Sequence, residues 1–332
     1  MHDGDLLILK DSEVRTLLAG REAEIIKCVQ SAYEAHAKGE SAFPHSSFLR
    51  FPNNGNNRII ALPAYLGGEY DLAGIKWVAS FPANLERGFN RATAVIILNS
   101  AKTGRPSAML EGSAISAKRT AGSAVLAAQW LCKKDVARVG IIGAGVINFE
   151  IISFLMATRP GIKSFVVYDR DPQRAHGLRE KCEDVFNGIE VRVATDTREV
   201  LRSCSLISLA TTALEPHIFD LSECAHGTVV LHVSLRDLSP EVILHCDNIA
   251  DDIDSVCRAQ TSVHLAEQYV GNRDFIRCAL SEILLGVKPA RNGCDVTVFS
   301  PFGMGILDLA LAKLTCDLAL REGRGSIVAS FC

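Results

Sequence analysis

Val139-Gly-Ile-Ile-Gly143-Ala-Gly145-Val-Ile-Asn148-Phe-Glu150 places a glycine turn between an apolar strand and a segment of helical character. Gly143 permits a tight turn, and Gly145 lets backbone approach a pyrophosphate whose charge the following helix N-terminus stabilises. Ala144, Val146 and Ile147 complete the candidate phosphate loop. The third position of this motif carries Asn148 in place of Gly or Ala, so its context has to support it. A second apolar strand ends Val166-Val-Tyr-Asp169 about 20 residues beyond the turn, where dinucleotide folds place a ribose-binding acid. A carboxylate there accepts from a 2′-hydroxyl and repels a 2′-phosphate, which favours NAD over NADP. Arg170 and Arg174 weaken that preference, and Arg170 joins the candidate cofactor contacts. The plainer alternative is a glycine turn followed by a solvated strand-end aspartate.

Outward from the turn, apolar strands alternate with helical segments. The strands are Val139–Ile142, Ser164–Tyr168, Glu190–Val193, Leu206–Ala210, Val229–Val233 and Asn248–Ala250, with Val296–Phe299 as a further one. Runs that are apolar throughout imply strands covered on both faces, hence a parallel sheet. The expected fold class is α/β, with a Rossmann-type doubly wound parallel sheet. Thr211 and Thr212 after the fourth strand are candidate cofactor contacts, as is the Pro301–Gly305 turn. Asp237 follows Val229-Val-Leu-His-Val-Ser-Leu-Arg, at the strand end where open α/β sheets place ligands. It can equally be a solvated or helix-capping aspartate before Ser239-Pro240-Glu241.

Upstream the pattern differs. Val14, Leu17, Leu18, Ile25, Ile26, Val29 and Tyr33 recur at helical spacing from about Ser12 to Gly39. Turn signals at Pro44 and Asn53–Asn57 separate short strands, Ser47–Phe51, Arg58–Leu62, Leu72–Val78 and Thr93–Leu98, giving a small α+β lobe. Ser116 to Leu131 reads as a helix with Ser116 as N-cap, and Gly305 to Leu320 as another.

Bulk properties set the outer bounds. A chain of 332 residues suits two lobes, and 48% hydrophobic with 22% charged residues is an ordinary globular mix. The formal net charge of −3 and the absence of basic runs argue against a nucleic-acid partner. No stretch approaches the roughly 18 apolar residues of a membrane helix, and MHDGDLLILKDSEV lacks a signal-peptide core. Eleven cysteines, an odd count without C-x-x-C spacing, read as small buried hydrophobes in a reducing cytoplasm. Asp251, Asp252 and Asp254 lack histidines at metal-ligand spacing, so solvated charges are expected and no metal. The nine histidines are scattered, and none is given a role.

Three further stretches are Gly74-Ile-Lys76-Trp-Val-Ala-Ser-Phe-Pro-Ala-Asn84, Ser116-Ala-Lys-Arg119-Thr-Ala-Gly-Ser-Ala124 and Val298-Phe-Ser-Pro-Phe-Gly-Met-Gly305. With the glycine turn they resemble the ornithine cyclodeaminase/μ-crystallin family across nearly the whole chain. Arg58-Ile-Ile-Ala-Leu-Pro-Ala-Tyr-Leu-Gly-Gly-Glu69 and Thr93-Ala-Val-Ile-Ile-Leu-Asn99 look closest to its branch of SbnB-type N-(2-amino-2-carboxyethyl)-L-glutamate dehydrogenases, which serve 2,3-diaminopropionate biosynthesis. The resemblance implies a homodimer. Each subunit would have a substrate-binding/dimerisation domain over 1–118, completed by 305–332, and an NAD-binding domain over 119–304. It implies hydride transfer from a substrate Cα to nicotinamide, giving an imine that cyclodeaminases close into a ring and this branch hydrolyses.

By family position Lys76 engages a substrate carboxylate near the reacting carbon. A cation in that apolar strand is costly unless paired, and the alternative is a lysine snorkelling to solvent. Arg119 matches the family's helix-start arginine, whose guanidinium grips a carboxylate through two parallel donors. Arg50 and Arg58 compete as a further carboxylate clamp, each against an ordinary exposed arginine. Asp237 matches the acid/base, a role that calls for a carboxyl raised towards neutrality by burial. Thr93 is a candidate contact of the nicotinamide phosphate region. One departure matters: cyclodeaminases carry a Glu on the strand of Ile59–Leu62 that holds the substrate amine, and this chain has Ile-Ile-Ala-Leu. Its loss favours an anionic, glutamate-like amino-acid substrate. A cyclodeaminase or ketimine reductase, or a crystallin-like nucleotide-binding protein, are the competing expectations.

Overall fold

Strand β1 (Leu6–Leu9), almost wholly buried, opens a unit made of Met1–Arg119 and Met304–Cys332. The structure, a computed structural model, describes residues 2, 4–293 and 296–332. Helices α1 (Asp11–Leu18) and α2 (Glu22–Ala37) follow where the sequence reads as one helix. The break falls at Gly20, whose φ of +70° lies outside the right-handed helical region. Val14, Leu17, Leu18, Ile25, Val29 and Tyr33 are all buried, so the apolar stripe still points inward on both helices.

Antiparallel strands come next: β2 (Ser41–Ala42), β3 (Ser47–Phe51), β4 (Asn54–Leu66), β5 (Leu72–Ser80), β6 (Ala92–Ser100) and β7 (Pro106–Glu111). Helix α3 (Ser113–Leu131) starts one turn before the expected Ser116 cap. The Glu111 carboxylate performs the capping, accepting the Ser113 amide at 2.8 Å. Ser116 and Arg119 therefore lie inside the helix.

The second unit, Thr120–Gly303, is built from parallel strands with intervening helices. In chain order they are β8 (Arg138–Ile142), α4 (Val146–Thr158), β9 (Ser164–Tyr168), α5 (Pro172–Val185), β10 (Glu190–Val193), α6 (Thr197–Ser203), β11 (Leu206–Leu209) and β12 (Thr228–His232). Then follow α7 (Pro240–Leu244), β13 (Asp247–Ala250), α8 (Ile253–Val256), α9 (Ser262–Val270), β14 (Ile276–Ala279), α10 (Leu280–Leu284) and β15 (Val296–Ser300). The sheet order is β10-β9-β8-β11-β12-β15-β13-β14. Successive strands run one way from β8 and the other way from β11. The β8/β11 crevice is therefore the topological switch point, where open α/β sheets bind ligands.

The chain then rejoins the first unit. Helix α11 (Gly305–Glu322) packs on β4, β5, β6 and α2, and β16 (Ser326–Val328) pairs with β1. This sheet runs β16-β1-β7-β6-β5-β4-β2, with β3 on β4. A side chain at Gly74 would put its Cβ 2.3 Å from the Ile97 carbonyl and 3.0 Å from Leu309 Cδ2. Glycine there admits α11 to the sheet two residues before Lys76.

The acidic cluster differs from expectation. Asp251 is buried and accepts the Phe302 and Gly303 amides at 2.8 and 2.7 Å, which fixes the Pro301–Gly303 turn. Asp252 caps α8 through the Ser255 amide, and the exposed Asp254 pairs with Arg273 at 2.7 Å. Only Asp254 is a solvated charge, because the other two face amides that need an acceptor. Among the described residues, no helix is long and apolar enough to cross a membrane.

Candidate active site

In the first unit, Lys76 and Arg119 converge on one carboxylate. Lys76, on β5, donates to Asp308 Oδ2 at 2.7 Å and to Ser116 Oγ at 3.2 Å; Arg119 donates Nε to Asp308 Oδ1 at 3.0 Å. Both cations are nearly buried and Asp308 is wholly so. Burial, aided by the Arg119 charge and opposed by Asp308, brings the Lys76 ammonium down to about 8. Two cations on one carboxylate leave one formal positive charge in a dry setting, which an incoming carboxylate can neutralise. Asp308 went unremarked in the sequence, although a carboxylate within the apolar first turns of α11 is a visible signal.

Arg58 extends that charged face. Strand pairing sets Arg50 opposite Arg58 and Arg58 opposite Ser80, while Leu62 faces Lys76. Alternation therefore puts Arg50, Arg58 and Lys76 on the same side of the sheet, with Arg58 and Lys76 offset by four residues, about 13 Å. Arg50 is exposed, and the buried Nε of Arg58 has no hydrogen-bond partner among the described residues. Burial, with the Arg50 charge beside it, lowers the Arg58 guanidinium below its usual range. Like charges directly opposed are unfavourable unless an anion joins them. Thr93 pairs with Ala79 and so lies on the opposite face, away from Lys76.

In the second unit, the glycine turn has the geometry a pyrophosphate needs. Gly143 takes φ +96°, and a Cβ there would meet the Ala210 carbonyl at 2.5 Å. Around Gly145 the space is open for 4 Å, and α4 begins there with no side-chain cap, leaving its first amides to a ligand. Val146 at that helix start is 62% exposed, an apolar surface suited to a cofactor rather than to water. Asn148 explains its own departure from the motif. Its amide donates to the Ile142 and Gly143 carbonyls at 3.0 and 2.6 Å and accepts from Ser208 at 2.7 Å, pinning the turn from beneath. Asp169 accepts the Ala144 amide at 2.7 Å and stands beside the turn; Arg170 points to solvent. These residues fit a dinucleotide.

Asp237 lies five residues beyond β12 and is fully buried. It does not cap α7; Ser239 does. Thr211 and Ser234 hydroxyls donate to its two oxygens, and His217 Nε2 lies 3.0 Å from Oδ1. Leu235, between Ser234 and Asp237, holds φ +68°, a left-handed strain that non-glycine residues rarely bear. Here expectation needs correcting. Burial alone would raise this carboxyl, but hydrogen bonds from His217 and Ser234 outweigh it and hold it well below the usual carboxylate range. Thr211 thus serves Asp237, and its hydroxyl also accepts the Ala213 amide at 3.1 Å. Its neighbour Thr212 is exposed. No signal in the sequence tied residues 211 and 217 to Asp237, because only the fold brings them together, whereas His232 and Ser234 lie five and three residues before it.

The model of the ornithine cyclodeaminase/mu-crystallin family matches residues 6–323. The chain is 27% identical over 329 residues to N-((2S)-2-amino-2-carboxyethyl)-L-glutamate dehydrogenase of Staphylococcus aureus, covering 97% of this chain and 98% of that protein. Among solved structures it is similar to Thermococcus litoralis Delta(1)-pyrroline-2-carboxylate reductase in complex with NADH and L-proline. The TM-score there is 0.89 at 29% identity, over 96% of this chain and 99% of that one. An archaeal alanine dehydrogenase dimer with bound NAD gives 0.87 at 26% identity, over 98% and 99%.

Proposed function

The chain belongs to the ornithine cyclodeaminase/mu-crystallin family, and we propose that this member cleaves N-(2-amino-2-carboxyethyl)-L-glutamate oxidatively to L-2,3-diaminopropionate and 2-oxoglutarate. Its broader class is that of an NAD-dependent amino-acid oxidoreductase. The observation that favours a polyanionic substrate is the opposed Arg50–Arg58 pair on the Lys76 face. Counting the buried Lys76–Arg119–Asp308 group as one net positive charge, that face offers three, against three substrate carboxylates.

The roles follow from chemistry. Amides of the glycine turn hold the pyrophosphate, and Asp169 accepts from the adenine ribose. Lys76 and Arg119 grip the carboxylate beside the reacting carbon and fix its Cα–H bond; Arg50 and Arg58 take the outer carboxylates. NAD, when bound, accepts the hydride. The Asp237 cluster manages the protons. Summed over the reaction, substrate ammonium, NAD⁺ and water become ketone, product ammonium, NADH and one proton.

The assembly proposed is a homodimer joined through the other face of the same sheet, where Leu49, Tyr65, Trp77 and Val95 stand exposed. A cytoplasmic setting suits the buried thiols of Cys182, Cys204, Cys257, Cys278 and Cys316. The test is turnover of purified protein with NAD⁺ and a panel of amino acids. NADH with equimolar 2-oxoglutarate and 2,3-diaminopropionate is expected from the proposed substrate alone. Turnover confined to alanine, proline or ornithine would replace this reading with a sister activity.

A further inference from the structure

Asp237 has no exposed surface, and the groups around it donate to it, so a substrate has no evident way to reach its oxygens. One member of the cluster does reach outward. The His217 side chain is 40% exposed, with Nε2 3.0 Å from Asp237 Oδ1, which leaves Nδ1 as the ring nitrogen that Asp237 does not engage. Its backbone is tied to the same residue: the His217 and Ile218 amides both donate to the Asp237 carbonyl at 2.9 Å, and a parallel bridge links Ile218 with Leu238. A ring held 3.0 Å from a carboxylate, with its backbone tied to the carbonyl of the same aspartate, is arranged like a histidine–aspartate dyad.

His232 has the opposite character. It is fully buried, its Nε2 accepts the Asp237 amide at 3.2 Å, and its Nδ1 lies 3.3 Å from Ser300 Oγ. Nε2 also lies 3.3 Å from Asp237 Oδ2, but a backbone amide can only donate, so Nε2 is the acceptor and the ring proton sits on Nδ1. His232 therefore supports the loop, and only His217 can trade a proton with anything outside it. The left-handed backbone at Leu235 keeps Ser234 and Asp237 turned together beneath the ring.

We propose that His217 is the residue that exchanges protons with the substrate nitrogen and the attacking water, and that Asp237 is its positioning residue. This rests on the dehydrogenase reading above. His217 takes one proton from the substrate ammonium; the freed lone pair forms the C=N bond as hydride leaves Cα. After passing that proton to solvent, the ring takes one from water as the C–O bond forms. It returns this proton to nitrogen as the C–N bond breaks; the hydroxyl oxygen becomes the ketone by giving up its remaining proton, which the freed amine takes to become the product ammonium.

The experiment compares wild type with His217→Ala and His217→Gln at saturating NAD⁺. Glutamine can still donate to Asp237 but carries no titrating proton. Both variants should lose roughly 10²-fold or more in kcat, with substrate KM and NAD affinity unchanged. Added imidazole should restore activity to the alanine variant and not to the glutamine variant. Full activity in His217→Ala, or rescue by glutamine alone, would overturn the proposal by leaving His217 a merely structural part. A wild type that oxidises no amino acid would instead remove the dehydrogenase reading, and this proposal with it.

Discussion

Lys76 experiences burial, a neighbouring arginine and a buried carboxylate at once, and their balance makes its charge adjustable within an accessible pH range. Its folded value of about 8 lies below the ordinary 10.5. Above about pH 8 the Lys76–Arg119–Asp308 group passes from one net positive charge to neutral. Substrate KM should then rise by about tenfold per pH unit while NAD affinity stays flat, as a steady-state pH series would show. The stability sign follows from the same depression. The Lys76 contribution is present above pH 10.5 and is lost as the pH falls through about 8. Asp308→Asn should be more damaging, because it strands two buried cations; a loss of about 3–5 kcal/mol in chemical denaturation is expected. At this scale the sequence was informative where a charge interrupts an apolar run, as at Lys76. It was silent where partners are remote: nothing near Asp237 announced donors at 211 and 217, so its depressed carboxyl could not be foreseen.

Elements were easier to recognise than to delimit. Apolar runs of four or five residues in the second unit became buried parallel strands, while β1, β7 and β14 escaped notice, the last two because polar residues interrupt their apolar runs. The start of α3 was misplaced because Glu111, outside the helix, caps it in place of a serine within it. Asn148 shows how a departure from a motif can carry structural meaning. With its amide gone, the turn carbonyls and Ser208 lose their buried partner. Asn148→Ala should cost about 1–3 kcal/mol and weaken NAD binding, measured by calorimetry, without changing substrate KM. Unchanged NAD affinity would show that the glycine turn is held by other means.

Across the whole molecule, alternation along β3 to β6 assigns two uses to one sheet, cations on one face and exposed apolar side chains on the other. The account gives the apolar face to a second copy of the chain. Trp77→Glu should therefore turn a dimer into a monomer by light scattering; an unchanged mass would place the interface elsewhere. The parallel α/β sheet was legible from strands alternating with helices, but its order was not. Placing β15 between β12 and β13 depends on pairings such as Thr228 with Val296 and Asp247 with Thr297, far apart in the chain, that no local pattern encodes. The central claim is that a carbon held by Lys76 and Arg119 gives its hydrogen, with both bonding electrons, to nicotinamide. It is tested most directly by deuterating the glutamyl Cα of N-(2-amino-2-carboxyethyl)-L-glutamate and examining the reduced cofactor by mass spectrometry. The account predicts one deuterium in each NADH formed and none in solvent water. Unlabelled NADH, with the deuterium recovered in water, would contradict it.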